Sequence, residues 1–516
     1  MVGALGCRCF ALSRPWVERL PAVMAVMNQD GSTIVALATP AGVSAVALLR
    51  ISGPLCRAWA AGGLFGRALV PRRAHHVDYL ALDGRLLDDV VAVSYLGPAS
   101  YTGEDCLELS CHGNPLIAQR LVEDLCARGC RLAQPGEFTQ RAFLAGRLDL
   151  SQAEAVMDVI QARSDRSLAV AQKQLKGSLG RHLLPLQRAL LDAAAQVEAY
   201  IDFPDEDLPP EDQAKVKADL EAVLRGTRQL LATRHYGEML RDGIRTVIVG
   251  APNAGKSSLL NRLVGFERAL VSPEPGTTRD FLEAWIRVGP HALRLIDTAG
   301  LNQLPLSELE TRGIALTRSQ LAEADLVLWV VDLSDDSPAL PIPPPELVSL
   351  LSPDKVLVVG NKLDRLEGAV PASSASEAAA QRAMVYARAE EKLGRAWERV
   401  WPLPEGERGE PPLLVSAQTG AGVDALVERI VSWADAFQSD VGEEVIAIGL
   451  RHAQALERAQ ESLSQALAQL EPGGLKATEL LASDIRGALE ALGEILGKYD
   501  HERMLDRLFA TFCIGK

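Results

Sequence analysis

Between residues 32 and 149, short apolar runs alternate with turn residues. Segments 33–38, 46–51, 90–95 and 106–110 read as strands and 115–128 as a helix, which predicts an α+β unit. At Ser151-Gln152-Ala153-Glu154 a Ser-x-x-Glu capping box predicts the start of a helical region. Ala-, Leu- and Gln-rich heptad-like text then runs to about residue 240. It breaks at Ile-Asp-Phe-Pro-Asp-Glu (201–206) and again at Pro209-Pro210. From 245 to 436 apolar strand runs alternate with helical stretches, the pattern of a doubly wound α/β sheet. Helical text resumes at 444 and runs to the end. The predicted fold is therefore multidomain. An α+β domain covers 31–149, an all-α helical domain is split into 150–243 and 437–516, and an α/β domain at 244–436 is inserted within it. Insertion of this kind is common where termini lie close together.

The inserted domain carries the most specific chemistry. Gly-Ala-Pro-Asn-Ala-Gly-Lys-Ser at 250–257 is a complete G-x-x-x-x-G-K-[ST] phosphate loop. It lies between the apolar strand run at 247–249 and a helical run at 258–263. Gly250 and Gly255 let the backbone wrap, so that the N–H groups of Asn253, Ala254, Gly255 and Ser258 are expected to face phosphate oxygens. Lys256 is expected on the β/γ-phosphates and the Ser257 hydroxyl on Mg²⁺. Asp297-Thr298-Ala299-Gly300 closes another apolar run, with Asp297 facing Mg²⁺ and Gly300 sensing the γ-phosphate. Asn361-Lys362-Leu363-Asp364 follows a third run. The Asp364 carboxylate can accept from guanine N1–H and the 2-amino group, donors that adenine lacks. Ser416-Ala417 follows the run at 413–415 and fits a loop backing the base. These motifs, in this order, predict a GTP-hydrolysing domain. Leu301 stands where Ras-like proteins carry a water-positioning Gln, so another group must orient the water. Thr278, in Pro-Gly-Thr-Thr-Arg-Asp at 275–280, is the expected switch threonine on Mg²⁺.

Charge and cysteine content narrow the setting. The 516-residue chain has a net charge of −14, so a nucleic-acid partner must meet local basic patches. Arg67, Arg72, Arg73, His75 and His76 form one such stretch, and Arg163, Arg166, Lys173 and Lys176 lie on one helical segment; either could equally be a solvated face. No apolar run reaches the ~18–20 residues that span a bilayer. The eight cysteines form no C-x-x-C pair and no zinc spacing, which reads as reduced thiols in a cytoplasmic protein. Cys126 and Cys130, one helical turn apart, are expected in a core and not in a bridge. Residues 1–26 carry Arg8, Arg14 and Arg19 among small and apolar residues, while Met27-Asn28-Gln29-Asp30 offers a second start. An over-extended start is preferred to a targeting segment, and 1–30 are left out of the fold. The stretch 337–345 reads as an exposed proline-rich loop. The insertion at 365–412 should hold a surface helix at about 376–400.

Further segments point to a family. They are Tyr-Thr-Gly-Glu-Asp at 101–105, Pro-Gly-Glu-Phe-Thr-Gln-Arg-Ala-Phe-Leu at 135–144, Leu-Asp-Leu-Ser-Gln-Ala-Glu-Ala at 148–155, the 201–206 hexapeptide and the terminal Phe-Cys-Ile-Gly-Lys at 512–516. With the mid-chain GTPase motifs, the chain from about 31 to 516 resembles the MnmE (TrmE) family of tRNA uridine-modifying GTPases. The resemblance implies a homodimer whose N-terminal domain binds a tetrahydrofolate one-carbon donor, 5,10-methylenetetrahydrofolate or its 5-formyl analogue. It implies a partner, MnmG (GidA), carrying FAD and using NADH, in a heterotetramer or larger complex. That complex installs an aminomethyl or carboxymethylaminomethyl group at C5 of the wobble uridine of certain tRNAs. Arg50, Glu108 and Lys516 match folate contacts, and Arg147 stands where the family usually has Lys. Val43-Ser44-Ala45 departs from the family's Gly- and Arg-containing run. Cys513, near the implied folate pocket, could attack uridine C6 or act as an acid; a small buried residue at a helix end is the equal alternative. The resemblance also implies K⁺ activation, with Asn253, Ser272, Glu274 and Thr277 around the ion. Glu310 would orient the water, with Glu308 in reserve because one residue is inserted after Gly300. The competing reading is an Era- or Der-like ribosome-assembly switch, but it leaves the Phe-Cys-Ile-Gly-Lys tail unexplained.

Overall fold

The computed structural model describes residues 31–202, 210–266, 283–297, 319–334, 348–367, 375–401, 412–439, 446–470, 478–497, 512, 513 and 515. The chain divides into two compact units, one of residues up to Met157 together with Gly493–Lys516, the other Asp158–Leu492.

The first unit is built on a six-stranded sheet in the order β3-β4-β5-β2-β1-β6. Its strands are β1 Ile34–Leu37, β2 Val46–Ser52, β3 His75–Leu80, β4 Leu86–Tyr95, β5 Cys106–His112 and β6 Arg131–Leu132. All neighbours are antiparallel except β1 and β6. Alternation along the strands decides the faces. Leu49, Ile51, Val90, Ala92, Leu107 and Leu109 point into a core closed by Ala118, Leu121 and Leu125 of helix α1, Pro115–Ala127. Asn114 caps α1, its Oδ1 accepting from Leu116 N at 2.9 Å, with Pro115 at the first helical position. Cys126 and Cys130 belong to this core as free thiols, as expected. Helix α2 is Glu137–Leu144 and α3 is Leu150–Gln161.

The capping box at α3 is shifted by two residues from the sequence expectation. Asp149 is the cap: its Oδ1 accepts from Gln152 N at 2.8 Å, and Gln152 Oε1 accepts from Asp149 N at 3.0 Å. Ser151 is fully buried, and its hydroxyl donates to Asp149 Oδ1 at 2.6 Å. The ionised carboxylate is an acceptor only, so its Oδ1 can take both donors.

The second unit contains helices α4 Asp165–Leu175, α5 Ser178–Asp202, α6 Pro210–Ala232 and α7 Arg234–Asp242, followed by the second sheet. Late in the chain come α12 Leu450–Gln469 and α13 Thr478–Ile495, and α6 packs on both α5 and α12. Among the described residues helix resumes at Leu450, residue 444 lying outside them. Residues 446–449 lie outside helix and strand, and the buried Thr233 hydroxyl donates to Ile446 O at 2.7 Å.

The second sheet has the order β12-β11-β10-β7-β9-β8, with β7 Ile244–Gly250, β8 Glu283–Val288, β9 His291–Asp297, β10 Leu326–Asp332, β11 Val356–Asn361 and β12 Leu413–Leu414. Only β8 runs antiparallel to its neighbour. Helix α8 Lys256–Phe266 follows β7, short α9 Leu363–Glu367 follows β11, and α10 Ala375–Val400 and α11 Val423–Ser439 complete the layers. Strand β10 shows why this is a doubly covered sheet. Leu326, Leu328 and Val330 pack with Leu259 and Leu263 of α8 and Leu426 and Ile430 of α11. Val327, Trp329 and Val331 pack with Leu393 and Ala396 of α10. The expected helix in the 365–412 insertion is thus a cover for one sheet face.

Candidate functional site

The phosphate loop runs from the end of β7 to α8, beside the point where strand connections leave β7 in opposite directions. Its glycines are required by close approach. A Cβ on Gly250, at φ +156°, would lie 2.2 Å from Val330 O. One on Gly255, at φ +91°, would lie 2.2 Å from Asn361 Nδ2. Asn253 adopts the left-handed conformation at φ +65°, which Asn tolerates better than most side chains. Lys256 Nζ reaches back across the loop, donating to Gly250 O and Ala251 O at 3.0 Å each.

Asn361 holds this loop to the base-side loops. It is 1% exposed. Its Nδ2 donates to Ala254 O at 2.9 Å and its Oδ1 accepts from Ala417 N at 3.0 Å. Its neighbour Lys362 has φ +68° and places Nζ 2.5 Å from Asp332 Oδ2. Burial alone would raise the Asp332 carboxyl, but hydrogen bonds from Lys362 and Ser334 outweigh it and hold the group below the usual carboxylate range. Ser416 Oγ donates to Asp364 Oδ1 at 2.5 Å, orienting the carboxylate. An open groove of about 530 Å³ adjoins these loops, lined by Ser258, Asn261, Arg262, Gly265, Ala417 and Gln418. Arg262, which carried no signal in the sequence, fixes this loop by donating to the carbonyls of Ala417, at 2.8 Å, and Gln418. The structure therefore brings together Asn253, Ala254, Gly255, Lys256, Ser257, Ser258, Asn361, Lys362, Asp364, Ser416 and Ala417. Ser272, Glu274, Thr277, Thr278, Thr298, Ala299, Gly300, Glu308, Glu310 and the Asp297 side chain lie outside the described residues.

A second group of sequence candidates gathers in the first unit. Arg50 on β2 and Glu108 on β5 are cross-strand partners. Arg50 Nε donates to Glu108 Oε1 at 3.0 Å, and both side chains are largely buried, at 16% and 23% exposure. The Arg50 guanidinium lies 5.2 Å from the Tyr101 ring centroid and 5.9 Å from that of Phe138. These two aromatics were not singled out in the sequence, although both stand in quoted motifs. Arg147 is exposed, its aliphatic stem beside Gly103. The end of the chain also reaches this place. Phe512 is buried with Phe143, Leu150, Ala153 and Met157. Gly136 N donates to Cys513 O at 3.4 Å. Arg50 donates to Gly515 O at 3.5 Å. A Cβ on Gly515, at φ +94°, would lie 2.6 Å from Leu37 O, so only glycine threads here. The Cys513 side chain is exposed, which corrects the alternative of a small buried residue: Phe512 fills the apolar pocket instead. Lys516 lies outside the described residues.

The basic stretches do not form open cationic surfaces throughout. Arg67 and Arg72 donate to the carbonyls of His76 and Ala99. Arg163 lies in the break before α4, not on a shared helix with Arg166, and stacks 3.9 Å over Trp285. Arg166 pairs with Asp435 at 2.7 Å.

A phosphate loop at the end of β7, joined through a buried asparagine to a base-side aspartate on a parallel sheet of this order, defines a P-loop GTPase. The family model of the MnmE helical domain matches residues 150–513, and that of the GTP-binding protein TrmE N-terminus matches 33–147. The tRNA modification GTPase MnmE of Opitutus terrae is 54% identical, covering 94% of this chain and 99% of its own length. Its namesake from Symbiobacterium thermophilum is 41% identical over the same shares. The chain belongs to the MnmE (TrmE) family of tRNA modification GTPases. Among solved structures, the G domain of the T. maritima FeoB iron transporter is similar at 23% identity, over 37% of this chain and 98% of that one, with a TM-score of 0.22. The ribosome-assembly alternative is not favoured by these relatives. Among the described residues, no helix is long and apolar enough to cross a membrane.

Proposed function

We propose that this protein is the K⁺-activated GTPase component of a tRNA-modifying complex that builds an aminomethyl or carboxymethylaminomethyl group on C5 of the wobble uridine. The carbon comes from 5,10-methylenetetrahydrofolate or its 5-formyl analogue. The working form is a homodimer joined by MnmG, whose FAD and NADH supply the redox chemistry, on a bound tRNA. The observation that carries this reading is the Arg50–Glu108 pair with the chain end laid against it, in a unit separate from the phosphate loop.

The residues present fit these ligands. Gly250, Gly255 and Lys256 shape a loop for triphosphate, and the Ser257 hydroxyl, with Thr278, is of the type that holds Mg²⁺. Asn253, with Ser272, Glu274 and Thr277, offers oxygen donors suited to K⁺, and Glu310 would orient the attacking water. Asp364 would read guanine. In the first unit Glu108 offers an acceptor for pterin N–H groups, Arg50, Arg147 and Lys516 suit a carboxylate tail, and Tyr101 offers an aromatic face. Cys513, whose thiol is free and exposed, would attack uridine C6 or donate a proton.

GTP turnover should be many-fold faster in KCl than in NaCl at equal ionic strength; equal rates would refute potassium activation. Gly515→Ala should leave GTP turnover intact while C5 modification falls about 100-fold, because an ångström of displacement costs roughly that much. Mass spectrometry of wobble uridines in cells carrying only the variant reads the outcome. Unchanged modification would show that the threaded tail does not position the chemistry.

A further inference from the structure

The sequence shows no metal spacing, yet the first sheet assembles a donor set from three strands. Asp88 and Asp89 are on β4, His112 ends β5 and His76 is on β3. Consecutive strand residues normally face opposite sides of a sheet. Here both carboxylates reach the same imidazole nitrogen: Asp88 Oδ1 lies 2.8 Å and Asp89 Oδ1 3.6 Å from His112 Nδ1. A register shift between Tyr79 and Leu80 of β3, opposite this part of β4, accompanies the re-aimed carboxylate. Asp88 is not a loose surface acid. Its side chain is 7% exposed, and its second oxygen accepts from His112 N at 2.8 Å, closing the end of the β4–β5 ladder. On the far side of Asp89, His76 Nε2 lies 2.9 Å from Oδ2.

We propose that Asp88, Asp89 and His112 form a site for a borderline divalent cation of the Zn²⁺ type, with His76 orienting Asp89. The argument is one of distances and donor type. One nitrogen and two oxygens lie within 4.8 Å of one another. Ligands at about 2.0–2.2 Å from a tetrahedral zinc stand roughly 3.3–3.5 Å apart, so the ion fits with side-chain adjustments and no backbone movement. An imidazole donor favours Zn²⁺, Co²⁺ or Ni²⁺ over Mg²⁺ or Ca²⁺. With neutral imidazoles the carboxylates leave a local charge that attracts a cation. The bound ion would cross-link β4 to β5, with His76 extending the tie to β3, and leave remaining positions to water. This site is separate from the Mg²⁺ expected at Ser257 and does not depend on the proposed uridine chemistry.

The test uses the full chain without nucleotide, in excess Mg²⁺ to occupy sites that accept it. Calorimetric titration with Zn²⁺ should show a site that Mg²⁺ does not displace, and Co²⁺ should give visible ligand-field bands there. Asp89 and His112 are exposed, so Asp89→Asn and His112→Gln should keep the native circular dichroism and GTP turnover. Each should weaken Zn²⁺ binding at least tenfold and abolish the cobalt bands. No Zn²⁺ binding, displacement by Mg²⁺, or wild-type Zn²⁺ affinity in both folded variants would overturn the assignment.

Discussion

Asn361→Ala is expected to lower GTP affinity by about 100-fold, measured by titration with a fluorescent GTP analogue. The side chain is 1% exposed and makes two hydrogen bonds, to Ala254 O and from Ala417 N. Alanine leaves both backbone groups without a partner, at about 1–3 kcal/mol each. In the nucleotide-free domain the loops can move apart and let water satisfy those groups. Nucleotide binding requires the phosphate loop and the base-side loop in place together, so much of the penalty falls on binding. A net loss of roughly 3 kcal/mol is about two decades in Kd. Lys256 and Asp364 remain, so neither the phosphate lysine nor the base-side carboxylate is lost. An affinity within threefold of wild type would show that the two loops are held independently.

This joint also marks a limit of what the sequence disclosed. The phosphate loop, its strand and its helix were legible because glycine spacing and apolar period coincide there. Asn361 was legible as part of a motif, but its mechanical role was not, since the 107 residues separating it from Ala254 carry no trace of the contact. The same holds for Arg262, 155 residues from Ala417. In the first unit β2, β4 and β5 stood out through apolar alternation. Strand β3, His-His-Val-Asp-Tyr-Leu, was missed because charged and polar residues occupy its outer face and it forms a sheet edge. Strand β6 is only two residues long and exists because β1 pairs with it. The shifted cap at Asp149 arose because both Asp149-x-x-Gln152 and Ser151-x-x-Glu154 satisfy the pattern, and burial of Ser151 decides between them. The folate candidates came from family resemblance, and cross-strand register explains their meeting: Arg50 and Glu108 lie directly opposite. The aromatic support beneath Arg50 comes from Tyr101 and from Phe138 of α2, a convergence that only the fold creates.

The largest change of function is expected from Asp364→Asn, which should exchange the preferred base from guanine to xanthine. Ser416 Oγ holds one carboxylate oxygen at 2.5 Å, leaving the other to accept from the base. Asparagine keeps one carbonyl, which can take the Ser416 proton and the purine N1–H together. Its amide then faces the 2-position. On guanine that places NH₂ against NH₂, so two donors go unpaired and the charge-assisted bond to the carboxylate is lost. Together these cost about 4 kcal/mol, or roughly 1,000-fold in GTP affinity. On xanthine the 2-oxo group accepts from the amide, so XTP should bind the variant far better than it binds the wild type. Buried Asn361 and its two hydrogen bonds are untouched, so the loops should stay joined and the variant should hydrolyse XTP at a rate near that of wild type on GTP. The comparison of GTP and XTP affinities in both proteins decides it. A variant that still prefers GTP would remove Asp364 from base recognition and leave the guanine assignment without its reader.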